Sequence, residues 1–379
     1  MNPLALVQAR IRTVVNDERT GRPVDARSGP AGGARLLVVG PSWIGDMVMA
    51  QSLFLQLRRD DPSVTIDVVA PDWSRPILGR MPEIRRAIGL PVAHGRLGFA
   101  ARWRIGRSLQ GERYDRAIVM PKSWKSSLVP FFARVPVRTG YRGEQRFGLI
   151  NDARPLDVSF DRPMVRRYLA LAPRAGGTVA EEIPRPALRV DRDNRGRVAA
   201  RLGLASERPV VACVPGAEYG PAKTWPAESF GELGRRLTAS GVAVWILGGA
   251  AERETGERVR ALAGPRARNL CGELRLEDAV DLLSLTSTVV SNDTGLMHVA
   301  AAVGSHVVAL YGSSSPVYTP PLTDRAEVLY LGLDCSPCFE RACPLGHHRC
   351  LRELSVDAVL AAVRRVSRTL RLDRGLSGT

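Results

Sequence analysis

The sequence predicts an α/β protein in which two doubly wound parallel sheets face each other across a central cleft. Short apolar runs alternate with longer amphipathic stretches, a pattern typical of β-α-β units. The same alternation occurs in both halves of the chain. The length of 379 residues exceeds one ordinary core and suits two domains.

The first half supplies the first domain, which we place at residues 35–180. Strands are expected at Leu36–Val39, Thr65–Val69, Ala87–Leu90 and Ala117–Met120. Helices are expected at Asp46–Arg59, Leu97–Leu109, Trp124–Ala133 and Val165–Ala172. A Gly- and Pro-rich stretch then ends near Arg189, which we interpret as the interdomain linker.

The second domain is placed at residues 181–379 and includes a Cys-rich loop at 335–350 and a C-terminal helix. Its strands are expected at Val210–Val214, Ala243–Leu247, Thr288–Ser291 and Val307–Tyr311. Its helices are expected at Ala227–Thr238, Arg253–Ala263, Leu276–Leu283 and Leu296–Ala302. Residues 1–34 have scattered charges and predict a disordered extension.

Composition and charge narrow the class of protein. No apolar run reaches the roughly 18 residues needed to cross a bilayer, and no signal peptide is evident, so a cytoplasmic protein is expected. Of the net charge of +16, residues 94–147 supply twelve Lys and Arg against three acids. The segment is either an ordinary solvated surface or a surface for an anionic partner, nucleic acid or membrane.

The loop after the first strand, "GPSWIGDM" at residues 40–47, has the spacing of a phosphate-binding loop but carries Asp46 where that loop needs a lysine. Asp46 could be the helix N-cap. Alternatively Ser42 caps the helix and leaves Asp46 free to face the cleft. The reversed charge therefore argues against phosphate binding by this loop.

Two loops of the second domain suit an anionic ligand. In "VPGAEYGPAKTWP", from residue 214, Gly216 lets a ligand approach the backbone, and Lys223 is either a solvated lysine or a phosphate ligand. In "NDTGLMHVAAAVG", from residue 292, the helix N-terminus offers the amides of Thr294, Gly295, Leu296 and Met297 to a diphosphate. His298 is either a core histidine or a ligand donor, and Asp293 either an N-cap or a partner for sugar hydroxyls.

Four cysteines in "CSPCFERACPLGHHRC", residues 335–350, lie beside His347 and His348. In a cytoplasmic protein Cys335, Cys338, Cys343 and Cys350 favour a structural metal site, such as zinc, over disulfides. The spacing differs from that of a standard zinc ribbon, and we interpret the cluster as a loop staple without a part in catalysis.

Six stretches together resemble the lipopolysaccharide heptosyltransferases of glycosyltransferase family nine, from about Arg35 to Val363. They are "GPSWIGDMVMAQSL", "APDWSRPILGRMPEI", "RYDRAIVMPKSWKSSLVPFFARVPVRTGYRGEQRFGLIND", "PGAEYGPAKTWP", "NDTGLMHVAAAVG" and "ALYGSSSPVYTPPL". The resemblance implies a GT-B fold of two Rossmann-like domains, with the acceptor in the first and ADP-heptose in the second. It implies inverting transfer of L-glycero-D-manno-heptose to the first heptose of heptosyl-Kdo2-lipid A, with no metal or other cofactor required.

The resemblance also implies roles for particular residues. Asp46 matches the family's general base and Lys223 its donor-contacting lysine. Asp293, Thr294, Gly295 and His298 match the donor loop, with Gly216, Leu296 and Met297 beside it, and Glu252 aligns loosely with an acid near the nucleoside. Ser42, Trp43, Lys122 and Arg142 are the expected acceptor contacts. The basic first domain would meet the acceptor at the inner face of the inner membrane as a peripheral protein.

Three competing functions are weaker. A heptosyltransferase for another core position, of type I or III, would have similar loops. A non-catalytic nucleic-acid-binding protein would interleave aromatic residues with the basic ones on a reading module, but aromatics are 6% of this chain and no such motif is present. A nicotinamide dehydrogenase would carry G-x-G-x-x-G after a first strand, and neither half does.

Overall fold

The computed structural model describes residues 33–93, 95–156, 162–174, 176–204 and 209–375. The predicted disordered extension at residues 1–34 lies outside this range, except for Gly33 and Ala34. Two parallel six-stranded sheets form the molecule, which confirms the predicted α/β fold class.

The first sheet contains β1 Arg35–Val39, β2 Thr65–Pro71, β3 Ile84–Leu90, β4 Arg116–Val119, β5 Val137–Tyr141 and β6 Asp152–Arg154. Its strand order is β3-β2-β1-β4-β5-β6. The helices of this half are α1 Ile44–Asp60, α2 Arg75–Leu78, α3 Phe99–Ser108, α4 Leu128–Phe132 and α5 Val165–Leu169. The central strands are apolar on both faces because helices cover both sides, and Leu37 and Val38 of β1 are both fully buried.

The second sheet contains β7 Val210–Val214, β8 Ala243–Ile246, β9 Ala267–Asn269, β10 Thr288–Asn292, β11 His306–Tyr311 and β12 Ala326–Tyr330, in the order β12-β11-β10-β7-β8-β9. The helices here are α6 Arg192–Arg201, α7 Ala227–Ala239, α8 Arg253–Ala263, α9 Leu276–Leu283, α10 Gly295–Ala302, α11 Arg349–Arg352 and α12 Val356–Gly375. In each sheet the strand order changes direction next to its first strand, between β1 and β4 in one sheet and between β7 and β10 in the other. The loops that follow these central strands therefore flank a crevice at the carboxyl edge of each sheet.

The sequence patterns missed the strands β5, β6, β9 and β12 and the helices α2, α6 and α11. The strands β6 "DAR" and β9 "ARN" are three-residue sheet edges, too short for a period to appear. Helix α6, "RDNRGRVAAR", is polar on nearly all sides, and only Asn194 and Val198 are buried. The predicted helix at 124–133 is divided into a 3-10 turn at Trp124–Ser127 and α4. Pro130 explains the division, because proline is tolerated only in the first turn of a helix.

The linker joins the two halves through main-chain contacts. Gln51 of α1 is fully buried; its Nε2 donates to the carbonyl of Ala187 at 2.9 Å and its Oε1 accepts from the Ala187 N–H at 3.0 Å. The next residue, Leu188, donates its N–H to the carbonyl of Ala302 at the end of α10. The linker is thus bonded to a helix from each half.

A second interdomain contact surrounds Asp281 of α9, which is fully buried. Its carboxylate accepts from Arg80 Nη2 at 2.6 Å, from Asn194 Nδ2 at 2.8 Å and from the N–H of Asp191 at 2.8 Å. A buried carboxylate needs such partners to offset its lost hydration. In the described parts of the chain, no helix is long and apolar enough to cross a membrane.

We expect Arg80→Ala to lower the free energy of unfolding by about 3 kcal/mol or more, because it leaves Asp281 buried without its cation. The matched control is Arg59→Ala, whose partner Glu182 is 78% exposed, with an expected loss below about 1 kcal/mol. Urea unfolding of both variants measures the difference. Equal losses would contradict a special role for the buried pair.

Candidate active site

Asp46 lies in the first turn of α1, which begins at Ile44, two residues earlier than predicted. The N-cap position is Trp43, which has an extended backbone and no side-chain hydrogen bond to the helix. Both capping interpretations, for Asp46 and for Ser42, are therefore wrong. Because the helix starts before it, Asp46 does not serve as a cap and its carboxylate can face the second domain.

Two glycines bring the N-terminal turns of α1 and α10 into contact across the cleft. A Cβ atom on Gly45 would lie 2.8 Å from Cδ2 of His298. A Cβ atom on Gly295 would lie 3.1 Å from Cβ of Ile44. A side chain at position 45 would displace the His298 ring, and one at position 295 would be tight against Ile44, so both glycines favour this close approach.

Asp293 and Lys223 form a short ion pair beside this contact. Nζ of Lys223 lies 2.6 Å from Oδ2 of Asp293, and the two side chains are 17% and 5% exposed. The hydroxyl of Thr319 donates to the same oxygen at 3.3 Å, and the Lys223 ammonium lies 5.2 Å from the ring centroid of Tyr219. The interpretation of Lys223 as an ordinary solvated lysine is therefore wrong.

These charges set the protonation of the site. Burial, and secondly the charge of Asp293, raise the pKa of Asp46 to about 7, against the opposing effect of Lys223. Burial lowers the pKa of His298 to about 4, so its imidazole is neutral at neutral pH. A carboxyl group with a pKa near 7 is suited to accept and release a proton under physiological conditions.

The remaining predicted donor residues also lie at the carboxyl ends of the second sheet. Thr294 is the N-cap of α10, and its carbonyl accepts from the N–H of Met297 at 3.1 Å. The Met297 amide is therefore already used, which corrects its inclusion among the free donors. Glu252 packs on Gly216, where a Cβ would lie 2.6 Å from its Cγ, and its Oε2 accepts from the N–H of Gly249.

The predicted acceptor residues lie along the carboxyl edge of the first sheet. Ser42 and Trp43 precede α1, and the Ser42 carbonyl accepts from Nε1 of Trp73 at 2.9 Å. Lys122 and Arg142 are exposed on the loops that follow β4 and β5. The structure brings Ser42 and Trp43 next to Asp46, whereas Lys122 and Arg142 lie farther along the same edge.

Sequence reasoning missed two tyrosines near Asp46 and an arginine that contacts one of them. Tyr168 of α5 is buried, and burial with the charge of Asp46 raises its pKa. Burial and the same charge act on the pKa of Tyr318, which is also raised. Arg167 donates to the Tyr318 hydroxyl at 2.6 Å, which links the two halves of the molecule. The sequence offered an amphipathic helix at 165–172 and the stretch "ALYGSSSPVYTPPL", but neither pattern singled out these three residues.

The basic segment 94–147 is not one continuous binding surface. Four of its arginines donate to backbone carbonyls: Arg102, Arg116, Arg138 and Arg146. Burial lowers the pKa of Arg116 to about 10, and its guanidinium binds the carbonyls of Leu171, Ala172 and Pro173. Counting charges along the sequence therefore overestimated the surface available to an anionic partner.

The cysteine loop gathers its thiols in one place. Cys335, Cys338, Cys343 and Cys350 line a small cavity with His347 and His348, and none forms a disulfide. Within the described residues, no group of three or more His, Cys, Asp or Glu side chains is arranged to hold a metal ion. The structural zinc site stays a prediction.

Fold and site together define the class of protein. Two Rossmann-like domains, with a carboxylate of raised pKa on one side of the cleft and a partly buried cation at a helix N-terminus on the other, have the architecture of GT-B glycosyltransferases. The chain belongs to glycosyltransferase family 9 (heptosyltransferase), whose sequence model matches residues 102–349.

Individual relatives agree with this assignment. Lipopolysaccharide heptosyltransferase 2 of Escherichia coli is 44% identical over 86% of this chain and 96% of its own length. Lipooligosaccharide heptosyltransferase 2 of Haemophilus influenzae is 43% identical over 78% of this chain and 88% of its own. The solved structure of the E. coli ADP-heptose lps heptosyltransferase II superposes with a TM-score of 0.80 at 41% identity, covering 89% of this chain and 99% of that one.

We expect Asp46→Asn to stabilise the fold at pH 8 and less so at pH 5. The pKa of Asp46 rises from 3.8 to about 7 on folding, so ionised Asp46 opposes folding as the pH rises through this window. The stabilisation at pH 8 is at most about 4 kcal/mol. Thermal unfolding at both pH values measures it, with Asp72→Asn at an exposed carboxylate as the control. An Asp46→Asn variant that melts with the wild type at pH 8 would refute this account.

Proposed function

We propose that this chain transfers L-glycero-D-manno-heptose from ADP-heptose to the first heptose of heptosyl-Kdo2-lipid A, with inversion at the anomeric carbon. The observation that carries the proposal is the placement of Asp46 opposite the Lys223–Asp293 pair in a chain of glycosyltransferase family 9. The choice of the second heptose follows relatives named heptosyltransferase 2, at 44% identity. A relative named heptosyltransferase 1, from Pseudomonas aeruginosa, is 27% identical.

Asp46 is the proposed general base. A sugar hydroxyl is a poor nucleophile at neutral pH, so a carboxylate must remove its proton as the bond to the anomeric carbon forms. The raised pKa of Asp46, about 7, makes its ionised form a stronger base than an ordinary aspartate while leaving it substantially ionised at neutral pH. Trp43 and Ser42, which precede it, would position the acceptor sugar, with Lys122 and Arg142 toward its anionic groups.

Lys223 and the N-terminus of α10 are the proposed donor site. As heptose leaves ADP, negative charge grows on the β-phosphate, and the partly buried Lys223 ammonium with the amides of Thr294, Gly295 and Leu296 would stabilise it. The bound diphosphate would compete with Asp293 for Lys223, and Asp293 could then accept hydrogen bonds from heptose hydroxyls. His298 and Met297 would support this turn, and Gly216 and Glu252 would lie toward the nucleoside. The mechanism requires no metal ion, since these groups carry the charge.

The acceptor is anchored in a membrane by its lipid, which implies where in the cell the chain would act. Kdo2-lipid A with its first heptose is held in a bilayer, so the chain would act as a cytoplasmic protein peripherally bound to the inner face of the inner membrane. The phosphates and Kdo carboxylates of the acceptor are anionic and would be attracted by Lys122 and Arg142, which are exposed on the loops after β4 and β5.

We expect Asp46→Asn to lower kcat/KM for heptose transfer by about 10³-fold, within the range found for loss of a general base. In the wild type, kcat/KM should rise about tenfold per pH unit up to about pH 7 and then level, because only ionised Asp46 accepts the proton. Transfer from ADP-heptose to purified heptosyl-Kdo2-lipid A measures both. Asp72→Asn is the control, and a folded Asp46→Asn variant with the wild-type rate would exclude this base.

We expect Lys223→Met to weaken ADP binding and to lower kcat/KM by about 10²-fold, because the charge on the β-phosphate loses its buried cation. Lys125→Met is the matched control: Lys125 donates to the carbonyl of Gly95 in the first domain, at 2.7 Å, and should leave ADP affinity unchanged. Calorimetric titration with ADP compares the variants. Equal ADP affinity in both would argue against a donor site at Lys223.

A further inference from the structure

Exposed aromatic side chains are concentrated in the first half of the molecule. Seven Trp and Phe side chains among the described residues are from 37% to 90% exposed, and all fall between Trp43 and Phe147. The two tryptophans of the second half, Trp225 and Trp245, are buried. Large aromatic residues are normally buried, so a concentration of exposed ones marks an interaction surface.

Three of these aromatic side chains, together with the exposed Leu97, form one apolar surface on α3 and α4. Phe99 and Phe131 each pack edge-on against the ring of Phe132, with centroids 5.6 Å apart in both pairs. Trp103 lies one turn along α3 from Phe99, and Leu97 precedes the same helix. Their exposed fractions are 51% for Phe99, 46% for Trp103, 42% for Phe131 and 41% for Leu97.

Exposed cations surround these side chains. We define the aromatic-basic face as the four apolar residues together with exposed Arg96, Arg104, Arg107 and Arg134. The guanidinium of Arg107 lies 5.9 Å from the ring centroid of Trp103. Neither of the two segments that build the face, residues 95–110 and 124–134, contains an Asp or a Glu. The face is therefore complementary to a surface that is both anionic and apolar.

The aromatic-basic face borders the edge of the sheet that carries Asp46. The segment before α3 follows β3, and the segment before α4 follows β4, so both leave the carboxyl edge from which α1 also begins. Nζ of Lys125 donates to the carbonyl of Gly95 and joins the two segments at this edge. A partner bound to the face would lie beside the mouth of the cleft.

We propose that the aromatic-basic face docks on a bilayer that contains anionic phospholipid. Its aromatic rings enter the interfacial region and its arginines contact lipid phosphates, the arrangement that anchors peripheral proteins. Single-stranded nucleic acid is the weaker fit, because it is bound in grooves and stacks on ring faces, whereas this face is the outer surface of two helices. The docking proposal rests on the proposed function in one respect: the lipid-anchored acceptor would reach Asp46 from the bilayer on which the face docks.

Sedimentation with vesicles tests the docking without donor or acceptor. The full chain should sediment with vesicles of phosphatidylglycerol and phosphatidylethanolamine, and much less with phosphatidylcholine vesicles. Phe99→Ser with Trp103→Ser, and separately Arg104→Glu with Arg107→Glu, should each lower the partition coefficient at least about tenfold. The charge variant changes only exposed side chains, so it remains informative if the aromatic variant fails to fold.

Matched controls lie in the second half. Leu262→Ser removes an apolar side chain that is 49% exposed, and Arg192→Glu with Arg197→Glu reverses two exposed charges on α6. Both should sediment as the wild type does. Docking by this face is overturned if the wild type ignores anionic vesicles, if the face variants bind like the controls, or if RNA rather than lipid is bound. A wild-type dimer that the face variants convert to monomers, without vesicle binding, would assign the face to a second copy and overturn it too.

Transfer assays separate this proposal from the proposed function. The face variants should transfer heptose to a water-soluble, deacylated acceptor at the wild-type rate, and more slowly to an acceptor embedded in vesicles. If the wild type transferred heptose to neither acceptor, the proposed function would be excluded. The sedimentation experiment would still test whether the face docks on the bilayer.

Discussion

The contact between the N-terminal turns of α1 and α10 determines the chemistry of the site. Gly45 and Gly295 have no side chains, so the two turns meet, and Asp46 is removed from water beside Asp293 and Lys223. If the helices lay farther apart, water would hydrate Asp46 and its pKa would fall toward that of an ordinary aspartate. The basicity of one carboxylate is thus a property of how two domains pack.

The linker holds α1 and α10 in their relative positions. Ala187 is bonded through both of its main-chain polar groups to Gln51 on α1, while Leu188 donates to the end of α10. Arg80 and Asp281 fix the same interface farther from the cleft. Separating the halves would break these hydrogen bonds and remove Arg80 from the buried carboxylate of Asp281. These contacts, which do not involve Asp46 itself, therefore hold the two halves of the interface together.

Much of the fold was predictable because its central strands are buried on both faces and read as apolar runs between turn residues. The edge strands β6 and β9 were not predictable, because each has only three residues. Helix α6 was not predictable because it has little apolar surface. At the site, the sequence pointed to loops that the structure brings together, but not to the side-chain pairings within them. The distance between Lys223 and Asp293, 70 positions apart, and the contact of Arg167 with Tyr318 depend on the tertiary structure. No local pattern encodes them.

The arginines of residues 94–147 have two different roles, which a count of charges along the sequence cannot distinguish. Arg116 and Arg146 are buried, and each guanidinium donates hydrogen bonds to main-chain carbonyls. Arg104 and Arg107 are exposed on α3 beside Trp103. The side chain is the same in both cases, but burial directs its donors to partners within the protein, whereas exposure leaves its charge available. The surface on which we propose docking is therefore only a part of the segment, the part where exposed cations and exposed aromatic rings coincide.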